Sequence, residues 1–148
     1  MSLEKIFSAC GMVAMLGWLL LIFLPRWKWT ARFIAACVIP LAIAVVYLIL
    51  VVTNFGNSEG GFGSLAEVSL LFRNPRNLLA GWIHYLAFDL FIGAWEVRDA
   101  QRVGLHQLLV VPCLVLTFLL GPIGLLLYFV LRFAVKRKLL VGETHERA

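Results

Sequence analysis

Two ionisable side chains lie inside one apolar stretch of the chain, GWIHYLAFDLFIGAWEVRDA (residues 81–100). His84 and Asp89 occupy its interior, and Glu96 begins a charged run at its end. A carboxyl group in hydrocarbon can act as an acid or exchange a proton near neutral pH, and an imidazole can serve as the complementary base or donor. Asp89 and His84 therefore predict proton-transfer chemistry on an apolar substrate.

If this stretch is helical, its ionisable side chains lie on different faces. At about 100° per residue, Asp89 and Glu96 share nearly one stripe, whereas His84 lies roughly 140° from Asp89. Any joint action of His84 and Asp89 therefore requires a substrate or a second helix between them.

A structural role is the alternative for each of these groups. Asp89 would then pair with Asn54, Arg73 or a backbone group and hold the helices together, and His84 would be a packing residue. The charged run that begins at Glu96 is expected at the membrane interface, as a solvated cluster that caps the helix end.

A haem or metal centre does not fit the positions of the histidines. His84 and His106 are the only histidines outside the polar tail, and in an antiparallel helix pair their depths differ by roughly 18 Å. The sequence contains no metal-binding or nucleotide-binding motif, so we predict neither a metal site nor another cofactor.

The composition indicates an integral membrane protein. Of the 148 residues, 62% are hydrophobic and 14% are charged, and the mean hydropathy is +0.95. Soluble domains lie outside this range. The protein's first partner is therefore the lipid bilayer.

Four apolar blocks are each long enough to cross the bilayer as a helix. The predicted spans are residues 6–25, 33–53, 78–95 and 108–131. Between the second and third, Leu65, Val68, Leu71 and Phe72 recur at helical spacing, which predicts a short amphipathic helix over 64–73 at the interface. The predicted fold class is an all-α membrane protein, a four-helix bundle forming a single domain over 1–148. A homo-oligomer of such bundles is possible.

The formal net charge of +5 does not indicate nucleic-acid binding. The basic residues flank apolar runs, as expected beside lipid headgroups. The distribution of Lys and Arg between the loops favours both termini in the cytoplasm.

The segments FRNP, NLLAGWIHYLAFDLFIGAWEVRDA and LTFLLGPIGLLLY resemble a known family over nearly the whole chain, and most strongly from Phe72 to Tyr128. This is the abscisic-acid-deficient, neoxanthin-synthase-like membrane family of plastids and bacteria. The resemblance implies a four-helix integral membrane protein. Its plant relatives are required for conversion of violaxanthin to neoxanthin, which opens an epoxide and moves a proton without net redox change.

The resemblance therefore implies an isomerase-type enzyme that acts on a carotenoid or related isoprenoid lipid, with Asp89 and His84 as its acid and base. Side chains that would contact an apolar polyene are Trp82, Tyr85, Phe88, Trp95, Arg73, Asn77 and Glu96. Because this chain begins directly at its first membrane helix, without the transit peptide of a plastid protein, we expect a bacterial cytoplasmic membrane. The plant substrate itself does not transfer to such a membrane. The alternative from another class is a non-catalytic lipid- or pigment-binding protein or assembly factor.

Overall fold

A computed structural model of the protein describes residues 2–54, 56 and 59–137, and in these ranges the chain forms helices and no strands. The helices are α1 (Leu3–Phe23), a π-helical segment (Thr30–Val38) that continues directly into α2 (Ile39–Asn54), α3 (Leu65–Leu71), α4 (Pro75–Val103), α5 (Gln107–Leu120) and α6 (Pro122–Lys136). The prediction of an all-α protein is confirmed.

Three elements are long and apolar enough to cross a membrane: α1, the π-helical segment together with α2, and α4. They correspond to the predicted spans 6–25, 33–53 and 78–95. Their length and hydropathy support the assignment to the membrane. The third of these elements, α4, is longer than the predicted span 78–95 and continues to Val103.

The predicted fourth span, 108–131, is not one helix, so the prediction of four spanning helices is not confirmed. The segment divides at Gly121, whose φ of 51° lies in the left-handed region that favours glycine. Gly124 then packs directly against the backbone of Thr117. A continuous helix would separate residues seven apart by roughly 10 Å, so α6 must fold back beside α5.

The α5–α6 hairpin returns to the end of the bundle from which it starts. The Lys136 side chain approaches Gly104, the residue that follows α4, whereas Gly121 at the hairpin tip lies against Asp89, midway along α4. The hairpin therefore covers the C-terminal half of α4 only. Length and hydropathy cannot distinguish such a hairpin from a single span, because the apolar run is equally long in both.

Leu3 and Lys136 consequently lie at opposite ends of the bundle. We call the end at which α1 and α4 finish the basic end, because the loop after α1 and the last turn of α6 supply cations there. Leu3 lies at the other end, beside Pro75. The expectation that both termini face the cytoplasm stays a prediction, and it was made for a chain that crosses the membrane four times.

Close packing between α1 and α4 holds the centre of the bundle together. A Cβ atom on Gly17 would lie 2.6 Å from the Leu90 side chain, and one on Gly93 would lie 2.6 Å from the Trp18 ring. Small residues of this kind let membrane helices approach closely, so that dispersion contacts stabilise them. The face of α4 that carries Asp89 is thereby held against α1 and α5.

The predicted amphipathic segment 64–73 contains α3, although its place at a membrane interface is not established. The Ser64 hydroxyl caps this helix by accepting from the Glu67 N–H at 3.2 Å. The Phe72 ring packs against Gly81 of α4. Pro75 then begins α4 at a position where its missing N–H costs nothing.

Candidate functional site

Asp89 lies at the middle of α4 and faces the tip of the α5–α6 hairpin. A Cβ atom on Gly121 would lie 3.1 Å from Asp89 Oδ2, so the carboxyl group occupies the space that a larger residue at the tip would need. The Oδ2 atom is buried and has no hydrogen-bond partner among the described residues. Asp89 therefore has one oxygen available for a ligand or a proton.

Tyr85 connects Asp89 to the hairpin. Its side chain lies close enough to interact with the Asp89 carboxyl group, and its hydroxyl donates to the Phe118 carbonyl at 2.7 Å. That carbonyl needs a donor from outside its own helix, because the residue four positions later is Pro122, which has no N–H. The break in the helix thus fixes the tyrosine beside the aspartate.

An apolar groove of about 400 Å³ lies between α1 and α4 on the side of Asp89 away from the basic end. Its lining residues are Leu3, Glu4, Phe7, Pro75, Leu78, Leu79 and Trp82. The Trp82 ring is 5.4 Å from the Tyr85 ring, so aromatic contacts continue from the groove to Asp89. The hairpin does not reach this half of α4, which explains why the groove is open.

The structure does not bring His84 to Asp89. The His84 ring is exposed, stacks on Phe88 with centroids 4.5 Å apart and lies 5.7 Å from the Tyr47 ring of α2. Phe88 is exposed on the same face. The predicted pair of catalytic residues is therefore divided between two faces of α4, as the helical angle of about 140° required.

Glu96 is fully buried, which corrects the expectation of a solvated residue at the interface. Its Oε1 accepts from the Thr117 hydroxyl of α5 at 3.0 Å. Its Oε2 is buried and makes no hydrogen bond within the described ranges. The prediction went wrong because α4 continues beyond residue 95 and the hairpin covers this face. Trp18 and Leu114 pack over Gly93 between Glu96 and Asp89.

Asp99 is also buried, and it anchors the far end of the hairpin. Its Oδ2 accepts from the Tyr128 hydroxyl at 2.7 Å and pairs with Arg132 at 2.8 Å. Its Oδ1 pairs with Arg102 at 2.5 Å. Arg132 is only 1% exposed, so this is an ion pair inside the bundle rather than the solvated cluster that was expected.

The remaining candidates are dispersed. The Trp95 ring contacts Tyr128 at 5.6 Å, so it packs against the hairpin. Asn77 accepts from the Asn54 amide at 2.7 Å, which joins α2 to the start of α4. That contact lies twelve residues before Asp89, or about 18 Å along the helix, so the structure does not support pairing of Asn54 with Asp89. Arg73 is exposed beside this junction.

Sequence reasoning missed the residues that the hairpin contributes: Thr117, Gly121, Tyr128 and Arg132. One signal was available for Arg132, which directly follows the predicted span 108–131 and was assigned to the headgroups. An arginine at that position is equally able to pair with a carboxylate inside a bundle. Nothing in the sequence reveals that α6 turns back and brings these residues to α4.

The described side chains contain no group of three or more His, Cys, Asp or Glu that could hold a metal ion. The chemistry that the site offers is therefore that of a half-buried carboxyl group, a neighbouring phenol and an aromatic groove. Together these side chains could exchange a proton with an apolar molecule.

Comparisons with known proteins identify the family. No curated protein and no solved structure matches this chain significantly. The family model described as ABA DEFICIENT 4-like matches residues 5–128, a range that includes Asp89, Glu96 and Asp99. The match covers most of the chain and confirms the resemblance seen in the GWIHYLAFDLF region. This protein belongs to the ABA DEFICIENT 4-like family.

Proposed function

We propose that the protein is a membrane-embedded isomerase that acts on a carotenoid or related isoprenoid lipid, with Asp89 as its acid. The observation that carries the proposal is the position of Asp89. Its carboxyl group lies at the middle of α4, with one free oxygen, one helical turn from Tyr85 and near an apolar aromatic groove. Carboxyl groups inside spanning helices are costly and commonly functional.

The reaction needs one group that first gives a proton and then takes one back. Protonated Asp89 would donate its proton to an epoxide oxygen, and the C–O bond would break to leave a hydroxyl group and a carbocation. The Asp89 carboxylate would then remove a proton from an adjacent carbon, which forms the new double bond and restores the acid. The product is an isomer of the substrate, so no oxidant or reductant is consumed.

This scheme does not require His84. The imidazole lies on the opposite face of α4, against Phe88 and Tyr47. Tyr85, whose hydroxyl donates to the Phe118 carbonyl, would hold the Asp89 side chain in position through its interaction with the carboxyl group, and Oδ2 would stay available to the substrate.

The groove between α1 and α4 would hold the apolar chain of the substrate. Phe7 and Trp82 both line the groove and contact each other, with ring centroids 5.7 Å apart, so they form one aromatic wall. A polyene in this groove would extend past Trp82 and Tyr85 and place its end group at Asp89.

The experiment is product analysis in cells that accumulate epoxy-carotenoids. Membranes containing the wild-type protein should yield an isomer of equal mass and different retention on chromatography. Asp89→Asn should lower its formation at least about 100-fold, because general acid–base groups contribute that much or more. His84→Gln, on the same helix, is the matched control and should retain activity. Carbodiimide, which modifies protonated carboxyl groups in apolar surroundings, should label the wild-type protein at Asp89, and peptide mapping should find no label at residue 89 in the asparagine variant.

The alternative function, a non-catalytic lipid- or pigment-binding protein, gives a different result. In that case a lipid or pigment would co-purify with the wild-type protein, Asp89→Asn would change the amount bound, and no isomer would form from any extract. Unchanged product formation by Asp89→Asn would contradict the assignment of Asp89 as the acid.

A further inference from the structure

A small polar pocket of about 120 Å³ lies at the basic end of the bundle, away from Asp89. It is formed by the loop after α1, the first turn of the π-helical segment and one side chain of α4. Three of its lining residues are cations, Arg26, Lys28 and Arg32, and Gln101 contributes an amide. This concentration of positive charge around a concave surface suits an anion.

These cations are not neutralised within the described part of the protein. Both salt bridges found there join Asp99, to Arg102 and to Arg132, and no carboxylate lines the pocket. Arg26, Lys28 and Arg32 are exposed. Their charge is therefore available to a ligand.

Contacts from α4 hold the pocket in shape. The Gln101 amide donates to the Pro25 carbonyl at 2.6 Å, and Arg98 donates to the Ala31 carbonyl at 2.5 Å. Both sides of the pocket are thus tied to the same helix. A preformed arrangement of cations loses less entropy when it binds than mobile surface side chains do.

The surroundings indicate a lipid rather than a soluble anion. The Trp27 and Trp29 side chains flank the cations, and each is about half exposed. Tryptophans next to basic residues at the ends of spanning helices belong to the headgroup layer of a bilayer. Lys28 also lies over the Trp29 ring, 5.4 Å from its centroid. The pocket therefore opens at the depth of lipid phosphates.

We propose that this pocket binds the phosphate of an anionic bilayer phospholipid. Arg26, Lys28 and Arg32 would surround the phosphate, and the backbone N–H groups at the start of the π-helical segment would add positive potential. The site is independent of the proposed isomerase activity. It lies beside the last turns of α4, whereas Asp89 lies at the middle of that helix.

The test is native mass spectrometry of the purified full chain with phosphatidylglycerol and with phosphatidylcholine. We expect the wild-type protein to bind phosphatidylglycerol at least about tenfold more tightly, since each basic residue near an anionic surface contributes appreciably. The variant Arg26→Gln/Lys28→Gln/Arg32→Gln should lose this preference. The control variant Lys5→Gln/Arg73→Gln/Arg76→Gln removes the same charge at the opposite end and should keep it.

Two results would overturn the proposal. One is an equal loss of preference in both triple variants, which would mean that net charge alone attracts the lipid. The other is displacement of phosphatidylglycerol by millimolar inorganic phosphate, which would identify a site for soluble phosphate. Because all six substituted residues are exposed, unfolding is not expected, and thermal unfolding of each variant in detergent checks this.

Discussion

Asp99 and Glu96 are both buried carboxyl groups of α4, but their hydrogen-bond and charge partners differ. Asp99 accepts a hydrogen bond from the Tyr128 hydroxyl and forms ion pairs with Arg132 and Arg102. Glu96 accepts a hydrogen bond from the Thr117 hydroxyl, and no cation of the described residues forms a salt bridge with it. A buried charge without a partner is costly, so removing one member of a buried ion pair costs more than removing a carboxyl group that accepts one hydroxyl.

This difference predicts that replacing the two carboxyl groups lowers the free energy of unfolding by unequal amounts. Asp99→Asn should lower the free energy of unfolding by about 3–5 kcal/mol, because it removes the carboxylate that pairs with Arg132 and Arg102 and accepts from the Tyr128 hydroxyl. Glu96→Gln, an equally conservative change three residues earlier, should alter it by less than about 1 kcal/mol. Thermal unfolding in detergent measures both. Equal destabilisation by the two variants would contradict the distinction.

The α5–α6 hairpin depends on the absence of a side chain at Gly124. A Cβ atom there would meet the backbone of Thr117, which cannot move aside as a flexible side chain could. Gly11 of α1 is the contrasting case, because a Cβ atom there would meet nothing within 4 Å. The two glycines therefore have different roles, although both lie in helices.

We predict that Gly124→Ala lowers the free energy of unfolding by about 1–3 kcal/mol, the usual cost of overpacking. Gly11→Ala should be neutral or stabilising by up to about 1 kcal/mol, because alanine favours a helix. The measurement is thermal unfolding in the same detergent. If Gly124→Ala were as harmless as Gly11→Ala, the helices of the hairpin would not be in the close contact described.

The sequence predicts the elements well wherever hydropathy determines them. The first two spans and the short helix at 65–71 follow from apolar length and periodicity. The hairpin does not, because Gly121 and Pro122 are compatible with a kink as well as with a reversal. Contacts such as those of Thr117 and Arg132 with carboxylates of α4 distinguish the two, and contacts between distant residues cannot be derived from a single sequence.

The same limit applies to the candidate site. The helical angle correctly separates His84 from Asp89, since it depends only on spacing within one helix. Gly121, which faces Asp89, and Phe118, which binds Tyr85, come from the returning hairpin. The position of the acid was therefore predictable, and its surroundings were not.

At the scale of the whole molecule, the three candidate spans leave Leu3 and Lys136 at opposite ends of the bundle. Cations of the basic end include Arg26, Lys28, Arg32 and Lys136, whereas the other end carries fewer. From the positive-inside rule we predict that the basic end lies in the cytoplasm and Leu3 on the outer side.

Reporter fusions test this orientation. A fluorescent protein that folds only in the cytoplasm should be active when fused after Lys136, and an enzyme active only outside should be active when fused before Leu3. The fluorescent protein fused before Leu3 and the enzyme fused after Lys136 should both be inactive. If both ends gave cytoplasmic activity, the chain would cross four times and α5–α6 would not be a hairpin.

The hairpin also has a consequence for how the protein is made. Because α5 enters and α6 leaves on the side where α4 ends, the last part of the described chain can be inserted without carrying Lys136 or Arg137 through the bilayer. If the basic end faces the cytoplasm, as predicted above, the described residues that must be translocated are those between α2 and α4 and those before α1. The final step of membrane insertion is then a folding event on one side of the membrane, completed when Arg132 reaches Asp99.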